Sequence, residues 1–401
     1  MDVAARMEMI RELCSFEGRL AGTDAERRAA NRLAERLRVA GRRADVEPTY
    51  VHPQAPLVHA AHCALGVAGS LVAVASPPVG FALVLATAVS VFFDFNTRFY
   101  LLRRLFFRRA SQNVFSPGDR PDAPARVVLC AHYDAARTGY LFSDRMRRRR
   151  ARIPEGLRVA LSPPRLMFWS LALLLPSLGA RMAGLDSNAI ALAQLPFTLV
   201  LLVGVFVLVD IQLSDVVPGA NDDASGVATA VSLAQELDAD PPDHLEVCVL
   251  LTGAEECGME GMRSFVRSHP EDLDRPTSYF LVLETVGKAE LRFQTAEGLA
   301  ITYQHDRRLA ELCEAVATGV ADESLDAAPA VLATGTDALP ATLAGHQAIV
   351  LTGLAQDGFP APGYRTASDT PESLDPEALD RAHSFALSLV RALDRDVGRR
   401  M

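Results

Sequence analysis

Between Pro48 and Phe93 the chain carries no Asp, Glu, Lys or Arg. The run "LVHAAHCALGVAGSLVAVASPPVGFALVLATAVSVFF" is too long for one bilayer crossing, which takes about 20 apolar residues. Pro77-Pro78 divides it into two similar halves, so residues 55–96 read as a helical hairpin. A second apolar region over 166–209 divides into "LMFWSLALLLPSLGA" and "SNAIALAQLPFTLVLLVGVFVLV", with Arg181 and Asp186 in the short connection. Core helices of soluble proteins rarely stay free of charge for such lengths. Both regions therefore read as transmembrane hairpins, four spans in all.

The arginines set an orientation. Arg98, Arg103, Arg104, Arg108 and Arg109 follow the first hairpin; "RMRRRRAR" over 145–152, Arg158 and Arg165 precede the second. The hairpin tips carry only Arg181. By the positive-inside rule this is a multi-pass integral membrane protein whose termini and soluble segments face the cytoplasm. Beside a span, the 145–152 stretch reads as attraction to anionic headgroups of the bilayer. A net charge of −9, from 40 basic and 49 acidic residues, gives no reason to expect nucleic acid as a partner. The six cysteines are scattered without C-x-x-C pairs, which suits small buried hydrophobes in a reducing compartment and not a disulfide framework.

Each hairpin returns the chain to the side it left. Residues 1–50, 97–164 and 210–401 can therefore meet in one discontinuous domain. "ARVVLCAHYD", "HLEVCVLLTG", "SYFLVLETVG" and "HQAIVLTGL" are short apolar runs that end in polar residues or Gly, as buried parallel strands do. "DAERRAANRLAERLRVAG", "ASGVATAVSLAQELDA", "RLAELCEAVATGV" and "DPEALDRAHSFALSLVRALDRDV" have helical spacing. The alternation predicts an α/β fold with a mostly parallel sheet sandwiched by helices.

Functional residues of open α/β sheets gather at the carboxyl ends of strands. Four segments put candidates there: His132 and Asp134, Asp222 and Asp223, Glu255 and Glu256, and Glu284. Singly each has a structural explanation, such as a helix cap or a solvated loop acid. Together they bring one imidazole and several carboxylates to one edge, where like charges repel unless a divalent cation neutralises them. Mixed His and carboxylate donors suit zinc, with manganese or cobalt as alternatives.

The ordered series H-x-D, N-D-D-x-S-G, E-E-x-G-x-x-G and an acid closing an apolar strand resembles the co-catalytic zinc exopeptidases, the aminopeptidase and glutamate-carboxypeptidase type of metallopeptidase. The opening "GRLAGTDAERRAANRLAERLRVAG" and the later "GTDALPATLAGHQAIVLTG" are also similar to that family. The resemblance implies that His132 and Glu284 bind one zinc, that Asp222 bridges two, and that Glu256 binds the other. It implies further that Asp134 orients His132, that Glu255 is the general base, and that Gly258 and Gly261 let the backbone turn closely under the site.

One position departs from the family. Where it has a His ligand, this chain reads "YRTASDT", placing Arg365 there. A guanidinium does not ligate zinc. Three explanations are open at this point. Arg365 stands in for the second cation in a one-zinc enzyme; or His346 or His305 supplies the ligand; or the site is silent. Either of the first two makes the chain a membrane-anchored zinc peptidase with one or two ions, hydrolysing peptide or acyl-amide bonds by a zinc-activated water; the resemblance implies an aminopeptidase-like exopeptidase. The alternatives are a regulatory or scaffolding pseudopeptidase and, from another class, a transporter or receptor.

Overall fold

The computed structural model describes residues 1–270, 273–319 and 325–401. Helices α1 (Val3–Cys14) and α2 (Asp24–Val39) lead into strand β1 (Asp45–Val51). The hairpin α3 (Ala55–Ala75) and α4 (Pro77–Phe95) follows, then β2 (Arg109–Ser116) and β3 (Ala125–His132). Next come the short α5 (Asp144–Ala151) and α6 (Glu155–Arg158), then α7 (Pro163–Met182) and α8 (Asn188–Leu213). The chain continues through α9 (Ser225–Ala239), β4 (Leu245–Thr252), α10 (Glu260–Ser268), β5 (Ser278–Glu284), β6 (Glu290–Glu297) and β7 (Tyr303–Gln304). It closes with α11 (Arg307–Ala317), β8 (Ala328–Val331), α12 (Ala338–Leu343), β9 (Gln347–Leu354) and α13 (Pro376–Gly398). Val320, the last residue of the helix expected from "RLAELCEAVATGV", lies outside the described residues.

The strands form one sheet in the order β1-β2-β4-β3-β5-β9-β6-β7, with β8 also paired to β6. The four apolar runs legible in the sequence are its centre: β4, β3, β5 and β9 are neighbours and parallel. The sheet is mixed, because its flanks are antiparallel at β1-β2, β2-β4, β6-β9 and β6-β7. Consecutive residues of a central strand point to opposite faces. Val127, Leu129 and Ala131 of β3 join Leu33, Val231 and Leu389 from α2, α9 and α13 in one core. Val128 and Cys130 face the other way, onto Met262 and Ala341 of α10 and α12.

Helices α3, α4, α7 and α8 make a separate bundle: α3 packs on α4, α7 and α8, and α7 packs on α4 and α8. Pro77 and Pro78 begin α4 directly after Ser76, as the divided run predicts. The α3–α4 crossing is close; a Cβ on Gly80 would lie 2.4 Å from the Ala73 methyl. The bundle has its own apolar core of Cys63, Val84, Leu171 and Leu201. Its polar side chains pair with one another inside, Ser70 with Thr198 at 2.6 Å and His62 with Ser90 at 2.8 Å. Outward the bundle is apolar, with Leu192, Leu199, Val203 and Phe206 of α8 exposed. Among the described residues, three helices are long and apolar enough to cross a membrane: α3, α4 and α8, with mean hydropathy 1.8, 1.9 and 2.5. The fourth expected span, α7, falls short of that composition because Arg165 and Arg181 lie near its two ends.

Candidate functional site

The parallel strands β4, β3 and β5 end together, and their carboxyl edge gathers the candidates. His132 is the last residue of β3 and pairs in register with Thr252. Glu284 closes β5. Glu255 and Glu256 follow β4 in a loop that reverses into α10, and Asp222 and Asp223 stand in the irregular turn before α9. That reversal needs glycine. Gly258 has φ +100°, and a Cβ on Gly261 would lie 2.0 Å from the Gly253 carbonyl oxygen.

His132 is at the centre of the cluster. Its Nε2 is 3.3 Å from Asp222 Oδ1, 3.8 Å from Glu284 Oε1 and 3.9 Å from Glu255 Oε2. Its Nδ1 lies 3.2 Å from the Asp134 carbonyl oxygen and 3.4 Å from Asp134 Oδ1. Nδ1 is thus directed at Asp134, and Nε2 faces the acids. The Asp134 carboxylate also accepts from the backbone N–H groups of Glu255 (3.0 Å) and Glu256 (3.1 Å). One side chain thus orients the imidazole and anchors the loop that delivers both glutamates.

Arg365 lies in the loop between β9 and α13, with φ +54°. Its Nη2 is 2.5 Å from Glu256 Oε2 and its Nε is 3.3 Å from Asp222 Oδ2. Asp222 lies between His132 Nε2, near one of its oxygens, and the Arg365 guanidinium, near the other. Neither His305 nor His346 enters the cluster. His305 Nε2 is 3.5 Å from the buried Glu297, and the His346 ring packs against Phe280 at 5.3 Å. The expectation that one of them replaces the missing ligand is corrected on that ground.

Among the described residues, two triples bring ligand atoms within 4.8 Å of one another: His132, Glu255 and Glu256, and His132, Asp223 and Glu284. Asp222 is in neither. Asp223, a member of the second triple, is also fixed by its surroundings: its carboxylate accepts from the backbone of Thr285 (2.9 Å), Gly226 (3.1 Å) and His132 (3.3 Å). Four residues beyond Arg365, Asp369 accepts from the N–H groups of Asn221 (2.9 Å) and Asp222 (3.2 Å) and so fixes the turn that presents Asp222. Asp369 appears in the same short sequence segment as Arg365. Its role was not legible because its partners lie far away in sequence.

The electrostatics fit this crowding. Burial works against a charged His132, but Glu284, Asp134 and Asp222 outweigh it and hold its pKa well above the usual histidine range. Burial pushes Glu255 well above the carboxylate range. Burial also pushes Glu256 up, to about 8, although Arg365 opposes it. Asp222 is lowered: burial is overcome by His132 and Arg365. Glu256 Oε1 is buried without a hydrogen-bond partner. One nitrogen and several carboxylate oxygens around His132 Nε2 are a donor set that fits a zinc ion. On the Glu256 side a guanidinium already supplies the positive charge.

A model of peptidase family M28 matches residues 204–390. No curated protein matches the sequence. Several solved structures share the fold at low identity. The zinc aminopeptidase BSAP from Bacillus subtilis has TM-score 0.57 and 14% identity, over 97% of this chain and 94% of that one. A Zn-dependent exopeptidase from Parabacteroides distasonis has TM-score 0.54 and 13% identity, over 98% and 97%. Glutaminyl cyclase from Tannerella forsythia has TM-score 0.56 and 14% identity, over 97% and 98%. The chain thus matches the M28 family model over its C-terminal part and shares the fold of these structures along its length.

Proposed function

We propose that this chain is a membrane-anchored, zinc-dependent hydrolase of peptide or acyl-amide bonds that works with one metal, Arg365 standing where a second would be. The observation that carries the proposal is the double contact of Arg365 with Glu256 and Asp222. It places a fixed positive charge across the cluster from His132 and Glu284. His132, Asp222 and Glu284 would hold the ion, which when bound supplies Lewis acidity towards the scissile carbonyl. Glu255, with its carboxylate 3.9 Å from His132 Nε2, is placed to take a proton from the attacking water and return it to the leaving amine. The Arg365 guanidinium favours negative charge as it develops on the carbonyl oxygen. Asp134 keeps His132 and Glu255 in register with each other.

The three apolar helices and the outward apolar face of the bundle support anchoring in a bilayer. The arginines beside the bundle support a cytoplasmic site. A reporter fused to the C-terminus should behave as cytoplasmic; an exported reporter would reverse the orientation.

Zinc per chain, measured by elemental mass spectrometry, tests the metal count. One ion is expected in the wild type and two in Arg365→His. Hydrolysis of a peptide and acyl-amide panel is expected from the wild type. Glu255→Gln should keep its zinc and lose at least about 100-fold in rate, the usual worth of a positioned general base. Peptides with N-terminal glutamine belong in the panel, because structures of glutaminyl cyclases share this fold. No zinc in the wild type, or two ions, overturns the proposal. One zinc with no turnover on any substrate would favour the silent pseudopeptidase.

A further inference from the structure

The arginine-rich segment between β3 and α7 does not face one way. Arg145, Arg148 and Arg149 are exposed, whereas Arg147 and Arg150 of α5 and Arg158 of α6 are half-buried. These three line a cavity of about 580 Å³ that Tyr364 and Arg365 also line. The cavity therefore borders the candidate site at Arg365. Ser162 and Pro163, where α7 begins, line it too, so it lies at the foot of the membrane bundle. Phe142, Leu299 and Leu332 give it an apolar wall. The volume lies in the range of small-ligand pockets, roughly 300–1,000 Å³.

Its positive charges are not equally satisfied. Arg147 pairs with Asp357 at 2.9 Å, Arg292 pairs with Glu290, and Arg365 pairs with Glu256 and Asp222. Among the described residues, Arg150 and Arg158 have no carboxylate within ion-pair distance. Arg158 donates to the carbonyls of Ile153 (2.9 Å), Ala151 (3.3 Å) and Asp357, which orients the guanidinium without neutralising it. Both guanidinium carbons lie 5.2 Å from the centre of the Phe359 ring. Two cations are thus gathered on one aromatic ring, part-withdrawn from water, with no counter-charge from the protein. Burial pushes the Arg150 pKa down.

We propose that Arg150 and Arg158, stacked on Phe359, form an anion subsite that selects amide substrates carrying a carboxylate or phosphate group on the portion bound in this cavity. Planar guanidinium forks match both oxyanions bidentately. The inference rests on the hydrolase reading for its substrate class, and on the cavity alone for its anion.

The test uses the full chain in detergent with metal chelated, and reads binding by fluorescence anisotropy. The probes are a labelled dipeptide with a free C-terminal carboxylate, the same dipeptide as its carboxamide, and a labelled phosphoserine carboxamide. One of the anionic probes should bind at least about ten-fold more tightly than the neutral one, equivalent to about 1.4 kcal/mol. Whichever anion wins names the source. Arg150→Gln combined with Arg158→Gln should abolish the difference and leave the affinity of the neutral probe unchanged. Equal binding of all three probes overturns the subsite, as does discrimination that survives in the double variant. If that variant instead loses only its adhesion to phosphatidylglycerol vesicles, these arginines read the membrane and the subsite is again overturned. Turnover by the metal-loaded wild type separates the two readings. Discrimination without turnover sinks the hydrolase and keeps the subsite; turnover without discrimination sinks the subsite alone.

Discussion

Removing Arg365 asks whether a guanidinium really substitutes for a metal. Its side chain is 25% exposed, while those of Glu256 and Asp222 are 4% and 0% exposed. In Arg365→Met those two buried carboxylates face each other without their cation. Breaking a buried ion pair from one side costs about 3–5 kcal/mol, and the partial exposure of Arg365 places this case near the lower figure. At roughly 2 °C per kcal/mol for a large domain, the melting temperature should fall by about 6 °C. The assay is thermal unfolding in detergent with zinc chelated. Adding Glu256→Gln to Arg365→Met should recover part of the loss, because a carboxyl that must otherwise take up a proton beside Asp222 is then replaced by a neutral amide. Arg365→His should be as unstable as Arg365→Met under chelation and should be rescued by zinc, which Arg365→Met should not be. A variant Arg365→Met that melts with the wild type in chelator would refute the reasoning, since the cation would then be contributing nothing to the cluster.

Two further outcomes follow from the surrounding scaffold. Glu26 is fully buried, accepting from Gly22 N and Ser111 Oγ at 2.7 Å each, and burial raises its pKa from the ordinary 4.5 to about 8. The folded state therefore holds this proton where the unfolded state has released it, so stability falls as pH rises between those values. Melting temperatures from pH 5 to 9 should fall less steeply in Glu26→Gln than in the wild type; parallel profiles would exclude Glu26 as the source. Gly261→Ala drives a methyl into the Gly253 carbonyl, 2.0 Å away, and should destabilise by at least about 1–3 kcal/mol, the usual range for overpacking. An unchanged melting temperature would mean that the α10 turn relaxes freely.

The legible parts of this chain were those in which local pattern and burial agree. Four apolar runs became four adjacent parallel strands, because strands buried on both faces carry few polar residues. The flanking strands β1 and β2, "DVEPTYV" and "RASQNVFS", are antiparallel and polar, so periodicity missed them. The acids at strand ends were legible because the topology of a parallel sheet sends them to one edge. What stayed hidden was long-range pairing. That Asp369 braces the turn holding Asp222, and that Arg147 and Arg150 turn into a cavity while Arg148 and Arg149 do not, depends on how distant segments meet.

The strap between α4 and β2 reaches the candidate site directly. Arg103, almost fully buried, binds both oxygens of Asp94 at the end of α4, at 3.0 and 2.7 Å. It also contacts Glu260 at 2.9 Å and donates to the Cys257 carbonyl, in the same turn that carries Glu255 and Glu256. Glu260 in turn accepts from the His52 backbone N–H, just before α3. The first hairpin is therefore tied at both of its feet to the wall of the site. Cutting it out to make a soluble protein would strip Arg103 of Asp94 and slacken the turn that presents the two glutamates. A version of this domain without the hairpin would have to replace Arg103 and Glu260 together, and the hairpin is better regarded as a structural wall of the site than as a leash.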